Sequence, residues 1–426
     1  MSGATGIQWT HVPGYRGAVW NPTTGCTRVS PGCDHCYAFA LHDQRYKANL
    51  DAARANPPLS LRDVRDGPDL VAAKRREDPG GMPVKALQYD VPFSQVQLLD
   101  EKRLTEPLRR RIPTAYFVDS MADLFHEDVP DGFLWQVWDV MRQSPQHLFM
   151  VLTKRPRRMH DFVTRWCDLA GESSEPQLVR GPDETRRRHP SGRGQLFASY
   201  LDLIGQPHGG VPPQGAAWPT FDWMEGPRWA SWWWPNTPLP NVWLGVSVED
   251  QERADERIPW LLDTPATVRF LSCEPLLGTL GLTSLDCWRA RDGLDGESWE
   301  QEPVHPGHME GLHWVIAGGE SGRHARPFDL AWARSLRDQC AAAGVPFFMK
   351  QLGSKPMLPL TEDGNEEWQA GLFERRWRPQ PDGSAFERNG LGMRCGYAFR
   401  LRNAHGADPA EWPEDLRVRE WPEAKP

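Results

Sequence analysis

Short apolar runs alternate with amphipathic stretches along most of this chain. Residues 115–118, 148–152, 242–246, 268–271, 314–317 and 346–349 are short, mostly apolar runs rich in Val, Ile, Leu, Phe and Trp. A strand buried on both faces reads this way, because neither alternating set of side chains meets water. Between these runs, 131–143, 157–169, 251–262 and 330–343 repeat apolar positions every three or four residues, the spacing of a one-sided helix. A helix is also expected over 37–55, a short one over 101–111, and a further strand within the first 25 residues. Strands that alternate with helices form parallel sheets, and this many exceed a minimal doubly wound unit. The expectation is an α/β fold, a complete or partial parallel (β/α) barrel.

The rhythm is interrupted twice. Residues 171–240 are rich in Gly and Pro and hold Trp218, Trp223, Trp229, Trp232, Trp233 and Trp234, out of 21 tryptophans in the chain. Residues 279–312 form a second break. Both read as insertions into a barrel core spanning 1–353. The tryptophans suit packing on that core or on a protein partner, with base stacking as the alternative. Residues 354–426 are polar and Pro-rich and read as an appended extension with a loose tail.

In parallel α/β folds the active site is built at the carboxyl ends of the strands. Here those ends carry Asp119, Ser120 and Asp123, then Lys154 and Arg155, Ser247 and Glu249, Glu274, Gly318-Gly319-Glu320, and Lys350. The series predicts one shared polar site. Backbone amides in Gly318-Gly-Glu-Ser-Gly322 can cradle phosphate or carboxylate, or the glycines serve a tight turn. Lys154-Arg-Pro-Arg-Arg158 can grip an anion, or simply open a solvated helix. His11, His126 and His160 have no ligand-like spacing.

Composition narrows the class. The formal net charge of −8 argues against general binding of nucleic acid, whose phosphates favour a basic surface. No stretch reaches the ~20 apolar residues of a membrane span, and no secretory signal pattern opens the chain. A cytoplasmic protein with reduced thiols is expected, which favours metal over disulfide for clustered cysteines. Three of eight cysteines, Cys26, Cys33 and Cys36, fall at the spacing Cys-x6-Cys-x2-Cys. Structural zinc is normally closed by four ligands, whereas an iron–sulfur cubane held by three leaves one iron open. The open readings are therefore a [4Fe–4S] cluster, zinc with His35 as a strained fourth ligand, or unligated thiols. Cys167, Cys273, Cys287, Cys340 and Cys395 are scattered and read as small core residues.

The run Trp20-Asn-Pro-Thr-Thr-Gly-Cys26, continued by Cys33-Asp-His-Cys36-Tyr-Ala, resembles an uncharacterised three-cysteine-motif family of bacteriophages and bacterial mobile elements. The resemblance extends through Phe117-Val-Asp-Ser-Met-Ala-Asp-Leu-Phe125, Val151-Leu-Thr-Lys-Arg-Pro156, Asn241-Val-Trp-Leu-Gly-Val-Ser-Val-Glu249 and Arg269-Phe-Leu-Ser-Cys-Glu-Pro-Leu-Leu277. It ends with Gly318-Gly-Glu-Ser-Gly322 and Pro346-Phe-Phe-Met-Lys-Gln351. That family in turn looks like a divergent branch of the radical S-adenosylmethionine enzymes. The resemblance implies a [4Fe–4S] cluster on the three cysteines, S-adenosyl-L-methionine as cofactor, and a substrate that is a nucleotide or nucleic acid. In such enzymes the usual spacing is Cys-x3-Cys-x2-Cys, so the first gap here is three residues longer. A Gly-Gly-Glu segment there binds the methionyl ammonium after the second strand, a place taken here by Asp119 and Ser120. Two other readings stand beside this one: a zinc-stabilised accessory protein of a phage system, and a metal-dependent hydrolase using Asp119, Asp123, Glu274 and Glu320.

Overall fold

The computed structural model describes residues 5–55, 92–99, 101–171, 238–282, 309, 311–359 and 401–423, with short strands at Gln177–Arg180, Arg186–His189, Arg289–Ala290, Trp299–Glu300, Arg378–Pro379, Phe386–Arg388 and Arg394–Arg400. The six clustered tryptophans of 218–234, and most of both segments read as insertions, lie outside the described residues.

Seven strands form the main sheet: β1 (Arg16–Trp20), β2 (Thr114–Val118), β3 (Leu148–Thr153), β4 (Val242–Ser247), β5 (Val268–Cys273), β6 (Trp314–Gly318) and β7 (Phe347–Gln351). They pair in chain order and every pair is parallel. The sheet curls into a half-barrel, so the partial form of the expected architecture is the one adopted. Alternation along the strands serves two cores. Val118, Val151, Leu244, Leu271 and Val315 join one large cluster. It includes residues of the helices α2 (Asp131–Arg142), α3 (Pro156–Gly171), α4 (Gln251–Asp263) and α5 (Leu330–Ala343). Ala115, Met150, Trp243, Phe270, Trp314, Ile316 and Phe348 turn the other way and form a separate inner cluster. Burial on both faces is the reason these strands read as unbroken apolar runs.

Helix α1 (Tyr37–Ala55) precedes these four and starts directly after Cys36. Helix ends follow local rules. The Asp250 carboxylate accepts from Arg253 N–H at the start of α4, and Asp329 accepts from Ala331 N–H at the start of α5. The helix expected over 101–111 is two shorter pieces, Glu101–Leu104 and a 3-10 turn at Pro107–Arg109. Pro107 has no N–H to give to a continuing α-helix.

A half-barrel leaves two edge strands and an open seam. Residues 418–421 cover the outer edge of β7. Met349 N–H donates to Val418 O (2.8 Å) and Glu420 N–H to Phe347 O (3.0 Å), with an antiparallel bridge between Phe348 and Arg419. The Trp421 indole N–H reaches Trp9 O at 3.1 Å. Trp9 lies in the inner cluster, its ring against Phe117, Phe270 and Trp314. Within the segment read as a polar extension, Trp412 and Leu416 are buried in the outer core. Strands at Pro356–Pro359, Arg378–Pro379 and Arg394–Arg400 pair there in a second, smaller sheet with Phe328–Asp329.

Trp9→Ala empties the centre of the inner cluster and is expected to lower unfolding stability by about 3–5 kcal/mol. Urea titration followed by tryptophan fluorescence measures this. A change of less than about 1 kcal/mol would mean that Trp9 only lines a surface.

Candidate functional site

The cysteine loop leaves β1 at the carboxyl end of the sheet and crosses the mouth of the half-barrel. Side chains from four other strand ends hold it. After β2, Asp119 accepts from Thr23 N–H (3.1 Å) and Thr23 Oγ1 (2.8 Å). After β3, Arg155 donates to Thr27 Oγ1 (2.8 Å) and lies 3.7 Å from Cys26 Sγ. After β4, Glu249 accepts from Ser30 Oγ at 2.9 Å. After β6, Glu320 bonds His35 Nδ1 at 2.9 Å. The loop then returns, with Tyr37 OH donating to Ser120 O at 2.6 Å.

Arg155, Glu249 and Glu320 have counterions, whereas Asp119 is held by the neutral Thr23. Arg155 pairs with Asp123 (3.0 Å) and Glu127 (2.7 Å). Asp123 also accepts from Thr153 Oγ1 and Lys154 N–H. Glu249 pairs with Lys154 (3.3 Å) and the buried Arg257 (3.1 Å). Burial pushes the Glu249 carboxyl up, but these two cations outweigh it and hold it below the usual range. Glu274 takes both oxygens to Lys350 Nζ, at 2.7 and 2.6 Å. Glu320 behaves like Glu249: burial raises its pKa, and hydrogen bonds from Arg326 and His35 bring it below normal.

All three cysteines are partly buried. Burial, aided by the charge of Asp123, pushes the Cys26 thiol up to about 12 against the pull of Arg155. Among the described residues, no three His, Cys, Asp or Glu side chains stand close enough together to hold a metal. The donor chemistry still fits a thiophilic group. The loop's strong hydrogen bonds run through Thr23, Thr27, Ser30 and His35, while the sulfurs make weaker contacts, Cys26 Sγ to Thr27 O at 3.4 Å and Cys33 Sγ to Ser30 Oγ at 3.8 Å.

The other sequence-derived candidates fall in distinct places. Asp119 and Ser120 grip the loop, one through Thr23 and the other through Tyr37. Lys154, Glu274 and Glu320 stand at the rim, each already paired. Asp119, Asp123, Glu274 and Glu320, the carboxylates of the hydrolase reading, each bind a different partner. The glycine loop is engaged with the chain itself. Gly319 N–H donates to Gln351 O (3.0 Å) and Gly322 N–H to Ser354 Oγ (2.9 Å). A Cβ at Gly319 would overlap the Leu352 carbonyl, so close backbone packing accounts for that glycine. Gly318 has more room, facing Glu274.

Sequence reasoning gave His126 no role. Its buried ring accepts from Asp128 N–H at Nδ1 (3.1 Å), which leaves the proton of the neutral ring on Nε2, 2.8 Å from Thr27 Oγ1. Burial, then the nearby Arg155, keep it neutral by lowering its pKa. Arg257 was likewise invisible inside an amphipathic helix.

No helix among the described residues is long and apolar enough to cross a membrane. A family model with the description "protein of unknown function (DUF5131)" matches residues 4–381. No curated protein and no solved structure matches the chain.

Asp119 sits at φ 55°, a left-handed conformation that Asp tolerates better than most residues, and it is almost fully buried. Burial pushes its carboxyl from 3.8 to about 8, against the two Thr23 hydrogen bonds. The folded state therefore keeps a proton that the unfolded state releases. The stability this proton contributes is complete below pH 3.8 and is lost as pH rises toward 8. Asp119→Asn keeps an acceptor for Thr23 N–H and cannot ionise. Its stability relative to the natural protein should climb between about pH 4 and 8 in urea titrations. A difference that stays constant over that range would show that Asp119 titrates normally.

Proposed function

We propose that this chain, which belongs to the DUF5131 family, is an iron–sulfur enzyme that uses S-adenosyl-L-methionine, with Cys26, Cys33 and Cys36 holding a [4Fe–4S] cluster. One observation carries the reading: a three-cysteine loop springs from the carboxyl end of the first strand of a parallel half-barrel and lies across its mouth. When bound, the cluster would supply an electron that splits the sulfonium into methionine and a carbon-centred radical able to take hydrogen from a substrate.

The chain's own residues would do the rest. The inner aromatic cluster closes the barrel beneath the mouth and excludes water from below. Asp119 and Ser120 fix the ends of the loop through Thr23 and Tyr37. Glu274 with Lys350, both partly exposed beside Gly318, suits the ammonium and carboxylate of an amino-acid moiety. Lys154 and Glu320 border the same mouth. The nucleotide or nucleic-acid substrate implied by the sequence resemblance is the first class to offer this enzyme.

Anaerobic reconstitution with iron and sulfide should give a brown protein with the broad visible absorbance of a cluster. Changing Cys26, Cys33 or Cys36 to Ala should abolish that absorbance, and Cys167→Ala should leave it. With dithionite, the reconstituted protein should release methionine and 5′-deoxyadenosine from the cofactor. A protein that binds zinc through these cysteines, takes up no iron and leaves the cofactor intact would instead be the zinc-stabilised accessory protein.

A further inference from the structure

We infer that Glu249 is a positioning residue that seats the cysteine loop, and with it Cys33, on the mouth of the barrel. The seat is visible without any metal. Its purpose rests on the reading of the three cysteines as ligands.

Glu249 is completely buried, and side chains from three other elements meet at its carboxylate. Lys154 arrives from the end of β3 and Arg257 from the second turn of α4. Ser30 descends from the loop and gives its hydroxyl proton to Oε1. Glu249's own backbone is fixed by Leu277 N–H donating to its carbonyl at 2.7 Å and by the Asp250 cap that follows. Arg257 is braced as well, with Nη1 donating to Ser247 O at 2.9 Å. The carboxylate is therefore a fixed point on rigid elements, and the loop is the part that conforms to it.

The loop is shaped for this contact. A Cβ at Gly32 would overlap the Glu249 side chain, so position 32 accepts only glycine while Glu249 stands there. Ser30 and Gly32 flank Pro31 in the 3-10 turn that delivers Cys33. Cys33 N–H closes that turn on Ser30 O at 2.9 Å. The residue held by Glu249 is thus the one that anchors the Cys33 backbone. Among the ties across the mouth, Asp119 grips the loop before Cys26, and the His35 side of the Glu320 tie is 35% exposed. Among the described residues, only the Glu249 tie joins a fully buried charge to the segment that carries Cys33, where solvent screens it least.

Outer residues that orient metal ligands typically change metal affinity by about 10–100-fold when altered. The test uses full-length apoprotein and two readouts at one fixed pH. The first is the alkylation rate of each cysteine by iodoacetamide, read by peptide mass spectrometry. The second is cadmium binding, read from the thiolate-to-cadmium absorbance. Ser30→Ala removes only the loop's hydrogen bond and leaves the buried ion pairs in place, whereas Gly32→Ala drives a methyl into the Glu249 side chain and forces loop and seat apart. Both should speed Cys33 alkylation several-fold and weaken cadmium binding by about 10–100-fold. Ser30→Thr, which keeps the hydroxyl, should restore both readouts. Glu249→Gln should match the loop variants if it folds, as judged by circular dichroism. If Ser30→Ala and Gly32→Ala alkylate Cys33 at the natural rate, the positioning role is overturned. A natural protein with no cadmium band through the three cysteines would defeat the metal-centre reading, and the alkylation rates would still decide the seat.

Discussion

Parallel pairing in chain order forces every strand to enter at one end of the sheet and leave at the other. From that constraint the rest of the molecule follows. All seven carboxyl ends open on one rim, so each crossing of the sheet brings another loop to the same place. Helices must return the chain along the outside, which buries the outer face. The inner face is filled by its own side chains together with Trp9, Val12 and Trp421, and aromatic rings supply much of that volume. Because the curl stops short of closure, two edge strands remain, and the segment at 418–421 covers one of them.

The rim concentrates charge in a region of low exposure. An isolated buried carboxylate costs several kcal/mol, and only close pairing with further hydrogen bonds offsets that. The pairs Asp123–Arg155, Glu249–Arg257, Glu274–Lys350 and Glu320–Arg326 meet the requirement, each between 2.6 and 3.1 Å. Such pairs add little net stability compared with apolar packing, but they strongly penalise any arrangement that separates them. Their effect here is to fix side-chain directions around the mouth. The cysteine loop, short of apolar anchors of its own and exposing Val29 and Tyr37, takes its position from those fixed groups.

Much of this architecture is legible in the sequence because its signals are local. A strand buried on both faces is an apolar run, and its polar continuation marks the rim, as in 148–152 followed by Thr153-Lys154-Arg155. The partners are not legible. Ser30 and Glu249 lie 219 residues apart, and His35 and Glu320 lie 285 apart, distances over which no periodicity carries information. Gly319 misleads for the opposite reason. A glycine freed for a ligand and a glycine crowded by Leu352 look the same in one dimension. The segment at 412–421 is polar on average, and its few apolar side chains, among them Trp412, Leu416, Val418 and Trp421, give no repeat by which to recognise a packed element.

The contact between Trp9 and Trp421 spans 412 residues. On a ribosome adding ~5–20 residues per second, the first partner waits roughly 20–80 s for the second to be made. Through that interval the outer edge of β7 has no cover from residues 418–421, and the inner aromatic cluster lacks one of its neighbours. Cellular folding of this chain therefore has an order set by synthesis: the helices and middle strands can assemble early, and the seam is sealed last.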